Sequence, residues 1–345
     1  MVTGMLRSGL WRFWFHGEMS CDIESSGYES PAAFQSSFPV ILRIPGISSL
    51  SHQGTAMRRK TAFLALLFLF LSSAGYAEPP LAQDLHERVV RVPIILKELF
   101  GERKLSLETT IFKPDGDGPF PLLVLSHGTP TFGKRRFMER VRYLDESREF
   151  VKLGFVVAIP MRRGYGSSDG NPVLEKCSDA PHYKIGLDEA KDLLATVAYM
   201  KKEPYVDGKR IVLAGQSGGG FASIACAADG FDGLVAVISF AGGRGSMQSG
   251  GICSESELIS AYGKYGKTCR VPTLWLYTEN DLFFPPRVAK DMHEAFVRSG
   301  GQAKLIMLPP FEHNGHYLFS NKKGIGIWLP EVKSFLQPLL PTIAD

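Results

Sequence analysis

The residues Gly215-Gln216-Ser217-Gly218-Gly219 follow four apolar residues, Ile211–Ala214, and lead into a run of small residues. The apolar run reads as a buried strand and the small-residue run as the start of a helix. A Gly-x-Ser-x-Gly turn between the two is a strained corner that lifts a serine hydroxyl clear of the sheet edge. Glycines flank the serine because a side chain there would collide with the neighbouring strand or helix. The free N–H groups of the new helix suit negative charge at the same point. The chemistry these residues could do is nucleophilic attack on an acyl carbon. Gly166-Ser167-Ser168-Asp169-Gly170 matches the same pattern, but Asn171-Pro172 stands where a helix would have to begin, so this copy reads as a loop.

A serine hydroxyl needs a base to take its proton, and the base needs an orienting carboxylate. After Ser217, Thr278-Glu279-Asn280-Asp281 leaves an apolar strand, which makes Asp281 the expected orienting acid and Glu279 the second choice. His313 and His316 both follow the last apolar strand. His316, after Gly315 and just ahead of the final helical region, is the expected base, with His313 as the alternative. The developing oxyanion needs two backbone donors, expected from Gly218 and, after the third strand, from Thr129, because Pro130 has no N–H. His127 reads as structural. Arg162 and Arg163 could hold a substrate carboxylate, although arginines in such places more often pair with structural carboxylates, with Asp169 close in sequence. Phe283, Phe284, Tyr165 and Phe311 could line an acyl pocket or belong to the core. No cluster of His, Cys and Asp has ligand spacing, so neither a metal nor a cofactor is expected.

The elements that must position these residues follow from periodicity. Residues 88–95 and 104–113 read as two half-exposed amino-terminal strands, and 121–126, 154–160, 211–214, 234–240, 272–277 and 303–308 as buried ones. Helices are expected at about 136–152, 183–202, from 218, at 256–265, 286–299 and 325–339. Helices between all strands after the third require a mostly parallel sheet of eight strands covered on both faces. Ligands then bind at the carboxyl ends of the strands. There is little room for a large cap domain, and the loops 166–182 and 241–255 are the expected pocket walls.

A chain of 345 residues that is 44% apolar can bury a large core, and a net charge of +4 without basic blocks argues against nucleic acid as a partner. Met57-Arg-Arg-Lys60 precedes an uncharged apolar stretch, Thr61–Leu71, and small residues up to Ala77. This is the pattern of a signal peptide cleaved near Ala77. Residues 1–56 therefore read as an upstream extension mis-assigned to the chain, 57–77 as the signal peptide and 78–345 as the mature domain, periplasmic or secreted. The apolar stretch is short for a membrane span and no cysteine follows the cleavage site, so no stable membrane anchor is expected. Of the four cysteines in the mature domain, Cys226 reads as core. Cys177 and Cys253 both fall in loops that follow strands and are the expected disulfide among three possible full pairings.

Taken in order, Ser126-His127-Gly-Thr-Pro, Arg162-Arg163-Gly-Tyr-Gly-Ser-Ser-Asp-Gly, Gly215-Gln-Ser217-Gly-Gly, Tyr277-Thr-Glu-Asn-Asp281 and Gly315-His316-Tyr-Leu-Phe resemble the α/β-hydrolase superfamily. Within it they resemble the dienelactone hydrolase-like branch. The resemblance implies Ser217, Asp281 and His316 as a triad and hydrolysis through an acyl-enzyme. Dienelactone hydrolases proper carry a cysteine where this chain has Ser217, which favours a carboxylesterase-like activity on a small-molecule ester. Three other readings remain open: a serine peptidase of the prolyl-oligopeptidase-like kind, an acyltransferase, and a non-catalytic binding protein on the same fold.

Overall fold

Apolar residues on both sides of each central strand leave only one way to bury them, between two layers of helix. In the computed structural model, eight strands form one sheet in the order β1-β2-β4-β3-β5-β6-β7-β8. They are β1 (Arg88–Glu98), β2 (Gly101–Phe112), β3 (Phe120–Ser126), β4 (Val156–Pro160), β5 (Val206–Gln216), β6 (Leu234–Phe240), β7 (Thr273–Thr278) and β8 (Ala303–Leu308). Only β2 runs antiparallel to its neighbours; from β4 to β8 every pairing is parallel. The structure describes residues 79–130, 135–173, 177–246, 251–341 and 343, all within the unit Glu78–Asp345. The extension expected at 1–56 and the signal peptide expected at 57–77 lie outside the described residues. No helix among the described residues is long and apolar enough to cross a membrane.

Among the described residues six helices cover the sheet: α1 (Leu144–Lys152), α2 (His182–Met200), α3 (Gly218–Asp229), α4 (Glu255–Gly266), α5 (Pro286–Arg298) and α6 (Ile325–Leu336). Alternate residues of one strand feed opposite cores. Leu122 and Val124 pack with α2, α3, α4 and α5, while Leu123 and Leu125 pack with α1 and α6. In the second core Trp328 of α6 stacks on Phe150 of α1, with ring centroids 5.6 Å apart, and meets Phe240 at the carboxyl end of β6. Burying side chains of this size contributes roughly 1.5–3 kcal/mol each, which fixes these layers and so the loops that leave them.

The helix expected from 136 begins eight residues later. Residues 135–137 make one 3-10 turn, and Tyr143 takes a left-handed backbone (φ 41°) directly before α1. The helical spacing of Phe137 misled, because its side chain is exposed rather than packed. The final helix stops at Leu336, short of 339. The first two strands run further than expected and meet in a tight turn at Leu99-Phe100, which lacks the usual turn residues apart from Gly101 (φ 131°). The segment 166–170 is a loop; its Ser168 hydroxyl donates to Met161 O and accepts from Glu108 N.

Candidate active site

The turn from β5 into α3 holds Ser217 at φ 54° and ψ −123°, a conformation that non-glycine residues rarely adopt. Three backbone bonds enforce it: Ser217 N–H donates to Phe240 O (2.9 Å), while Gly243 N–H and Phe221 N–H donate to Ser217 O (both 3.1 Å). The two glycines of the motif are obligatory. A Cβ on Gly215 would lie 2.3 Å from the Gly219 carbonyl carbon, and one on Gly219 would lie 2.0 Å from Ser126 O in β3. Gly218, Gly219 and Gly220 open α3, and their N–H groups precede the first intrahelical bond.

Asp281 and His316 arrive on neighbouring loops after β7 and β8. His316 Nδ1 lies 3.0 Å from Asp281 Oδ2 and 3.2 Å from Oδ1. Asp281 Oδ1 also accepts the N–H groups of Phe283 (2.8 Å) and Phe284 (2.9 Å). Both side chains are buried. Two asparagines lash the loops together. Asn280 bonds Phe311 N–H and the Phe311 and Glu312 carbonyls, and Asn314 Oδ1 accepts the N–H groups of Leu282 and His316. The Phe283 ring lies over the imidazole at 4.4 Å.

A cavity of about 620 Å³ opens between these loops and the turn. Ser217 and His316 both line it, without a hydrogen bond between their side chains among the described residues. Thr129 lines it too, and its Oγ1 would lie 2.5 Å from a Cβ on Gly218, so the two expected oxyanion donors are adjacent. His313 and Glu279, the second choices for base and acid, are exposed and do not line the cavity. Phe283 and Phe284 form part of the wall, whereas Tyr165 and Phe311 are buried in the core.

Cys177 and Cys253 are joined by a disulfide and both line the cavity, as do Gly243, Arg244, Gly245 and Ser246. The loops expected as pocket walls are therefore stapled to each other beside Ser217. Cys226 and Cys269 are free and buried.

The two arginines after β4 do not reach for substrate. Arg163 pairs with Asp192 (Nε to Oδ1, 2.5 Å) and Asp188 on α2, not with Asp169, which binds Ser106 instead. Arg162 is buried and donates to Ser126 Oγ (2.8 Å), His127 O and Thr129 Oγ1 (3.3 Å). His127 is structural: Nδ1–H donates to Gly128 O (2.7 Å) and Nε2 accepts Arg162 N–H (3.0 Å). Burial, and then the Arg162 charge, hold its imidazole well below the usual range, so it stays neutral.

Sequence reasoning missed Tyr143, Gln216, Asn280 and Asn314. Gln216 occupies a free position of the motif, and Tyr143 was absorbed into a helix that starts only after it. The asparagines carried a signal, since Asn280 and Asn314 sit next to or two residues from Asp281 and His316, where Asn side chains often bind backbone.

A family model for the X-Pro dipeptidyl-peptidase (S15 family) matches residues 104–298, more than half of the chain. Among solved structures the fold is similar to an acylaminoacyl peptidase of Pyrococcus horikoshii, with TM-score 0.53 and 20% identity over 73% of this chain and 42% of that one. It is also similar to an esterase of Pyrococcus furiosus (TM-score 0.53, 16% identity, 76% and 95% covered). A puromycin-hydrolyzing peptidase of Mycobacterium tuberculosis has TM-score 0.54 and 19% identity, with 76% and 41% covered. The chain thus spans about two fifths of each peptidase and nearly all of the esterase. No curated protein matches its sequence. The family match runs from β2 to the end of α5 and takes in the Ser217 turn and the Asp281 loop. On that match the chain belongs to the X-Pro dipeptidyl-peptidase (S15) family of the α/β-hydrolase superfamily.

Proposed function

We propose that this protein is an exported serine hydrolase that cleaves a carboxylic ester of small or medium acyl chain through an acyl-enzyme. Ser217 Oγ attacks the acyl carbon and its proton passes to His316 Nε2. The tetrahedral intermediate collapses, the bond to the alcohol breaks, and His316 returns the proton to the leaving oxygen. Water, deprotonated by the same imidazole, then releases the acid from Ser217. Asp281 keeps the Nδ1 proton of His316 on its own side and so leaves Nε2 as the base. The N–H groups of Gly218 and Thr129 take the oxyanion.

One observation carries this reading: His316, paired with the buried Asp281, lies on the wall of the cavity that also holds the strained Ser217 turn. The aromatic wall of Phe283 and Phe284 supports an apolar acyl group. Peptide cleavage is the second reading, favoured by the family match over 104–298. Export is supported by the basic, apolar and small-residue succession at 57–77 and by the Cys177–Cys253 disulfide, a bond that persists in oxidising compartments.

A fluorophosphonate probe on the wild type, Ser217→Ala and His316→Ala tests the assignment. Labelling of the wild type alone is the expected result; no labelling of folded wild type would defeat it. Rates on a p-nitrophenyl ester series and on Gly-Pro-p-nitroanilide then separate esterase from dipeptidyl peptidase. Residues found at the amino end of the exported protein test cleavage near Ala77.

A further inference from the structure

Arg162 is a full charge in a place that charges avoid. Its side chain is buried, and among the described residues its hydrogen-bond acceptors are all neutral: Ser126 Oγ, His127 O and Thr129 Oγ1. Asp192 of α2, which feels the Arg162 charge, is hydrogen-bonded to Arg163 instead, through its backbone N–H (2.9 Å) and its Nε (2.5 Å). The guanidinium Cζ also lies 5.1 Å from the centroid of the Tyr165 ring. A buried cation with neutral partners is expensive, so a site that keeps one needs a compensating negative charge.

Hydrolysis supplies that charge for a moment. A Cβ on Gly218 would lie 2.5 Å from Thr129 Oγ1 and 3.5 Å from Arg162 Nη2, so the guanidinium sits under the junction of the two proposed oxyanion donors. It does not line the cavity. His127 stays neutral, so Arg162 is the buried cation beside Gly218, while Arg135 and Arg244 add positive charge on the cavity wall. Fixed charge aimed at the place where charge develops acts in the transition state and requires no reorganisation.

We propose that Arg162 is a positioning residue of the oxyanion site: its buried charge stabilises the tetrahedral oxyanion from behind, and its three donors hold the Ser126–Thr129 loop against Gly218. The inference rests on the serine-hydrolase reading above. It separates two parts of one side chain, charge and fork. Arg162→Lys keeps the charge and loses the fork, while Arg162→Met loses both at similar volume.

The test uses the full chain and p-nitrophenyl acetate, with a trifluoromethyl ketone as mimic of the tetrahedral intermediate. Arg162→Met lowers kcat about 30-fold with KM nearly unchanged, and the ketone binds weaker by a similar factor. Arg162→Lys keeps both kcat and ketone affinity to within about fivefold. Circular dichroism and thermal melts confirm that each variant is folded. If Arg162→Met does not fold, Arg162→Gln, neutral but still a donor, replaces it under the same expectation. The proposal is overturned if the neutral variant keeps kcat and ketone affinity, or if Arg162→Lys falls as far as the neutral variant, which would make the fork the whole effect. A folded wild type that neither labels nor turns over any ester would defeat the hydrolase reading itself, a result distinct from an active enzyme indifferent to Arg162.

Discussion

The Tyr143 hydroxyl donates to Gln216 Oε1 at 3.1 Å, tying the residue before the nucleophile to the segment that crosses above it. The same hydroxyl accepts Gly128 N–H (3.3 Å), and Gln216 Nε2 donates to His316 O (2.9 Å) and Ser320 Oγ (3.2 Å). One polar bridge therefore connects the loop of Gly128 and Thr129, the Ser217 turn and the loop of His316. Burial pushes the Tyr143 hydroxyl up to about 12, so it remains a donor throughout the neutral range.

Tyr143→Phe keeps the ring on Phe319 (5.2 Å) and removes the bridge. Gly128 N–H and Gln216 Oε1 lose their partner, a penalty of about 1–3 kcal/mol for a buried pair, and the loops drift apart. Steady-state kinetics on an ester should show kcat about tenfold lower with KM changed far less, and the melting temperature should fall by several degrees. A kcat equal to that of the wild type would remove Tyr143 from the machinery.

Asp281→Asn tests the orientation of the imidazole. The side-chain oxygen of Asn would stay on the Phe283 and Phe284 N–H groups, which need an acceptor. Its NH₂ would then face His316 Nδ1, which must become an acceptor, and the proton moves to Nε2, where it blocks the base. The rate should fall about a thousandfold or more while Ser217 and the cavity remain. His313→Ala, on an exposed side chain away from the cavity, should stay within about twofold of wild type. The reverse pattern would transfer the role of base to His313.

The strands were legible because burial on both faces leaves uninterrupted apolar runs, and the nucleophile turn because backbone crowding at Gly215 and Gly219 admits no side chain. Asp281 and His316 could be read from their place after β7 and β8, where parallel strands deliver loops to one rim. The partners of Arg162 and Arg163 could not. Proximity in sequence pointed to Asp169, yet Asp169 binds Ser106 across the sheet edge; the acceptors of Arg163 stand on α2, and those of Arg162 on Ser126, His127 and Thr129. Tertiary placement decides such pairs. Tyr143 was hidden for a similar reason: its left-handed backbone breaks the very helix that periodicity extended through it.

The Cys177–Cys253 disulfide closes a separation of 76 residues, so it removes much freedom from the unfolded chain. By loop-closure arithmetic this is worth about 4 kcal/mol. Urea denaturation of the Cys177→Ser, Cys253→Ser double variant should show a loss approaching that, and wild type with reductant should match it. Both cysteines line the cavity, so KM should rise as well. Identical unfolding curves with and without reductant would mean that the bridge constrains nothing.

Glu146 offers a pH-dependent test of the α1 layer. Its side chain sits in the first turn of α1 and is 4% exposed. Burial pushes the carboxyl from an ordinary 4.5 up to about 7; its own backbone N–H opposes the change, and the neighbouring Asp145 charge adds to it. The folded chain thus binds this proton more tightly than the unfolded one. The resulting stability is fully present below about pH 4.5 and is lost as the pH rises through about 7. Glu146→Gln never ionises, so its advantage over the wild type should be absent in acid, grow across that window and level off on the order of 3 kcal/mol above it. Denaturation of both proteins from about pH 4 to 9 gives the difference curve. A difference that stays flat would show that the carboxylate is well solvated or paired when folded. A rise that begins near pH 4.5 and levels off near pH 7 would locate the titration at this one buried carboxyl, because the substitution changes no other ionisable group.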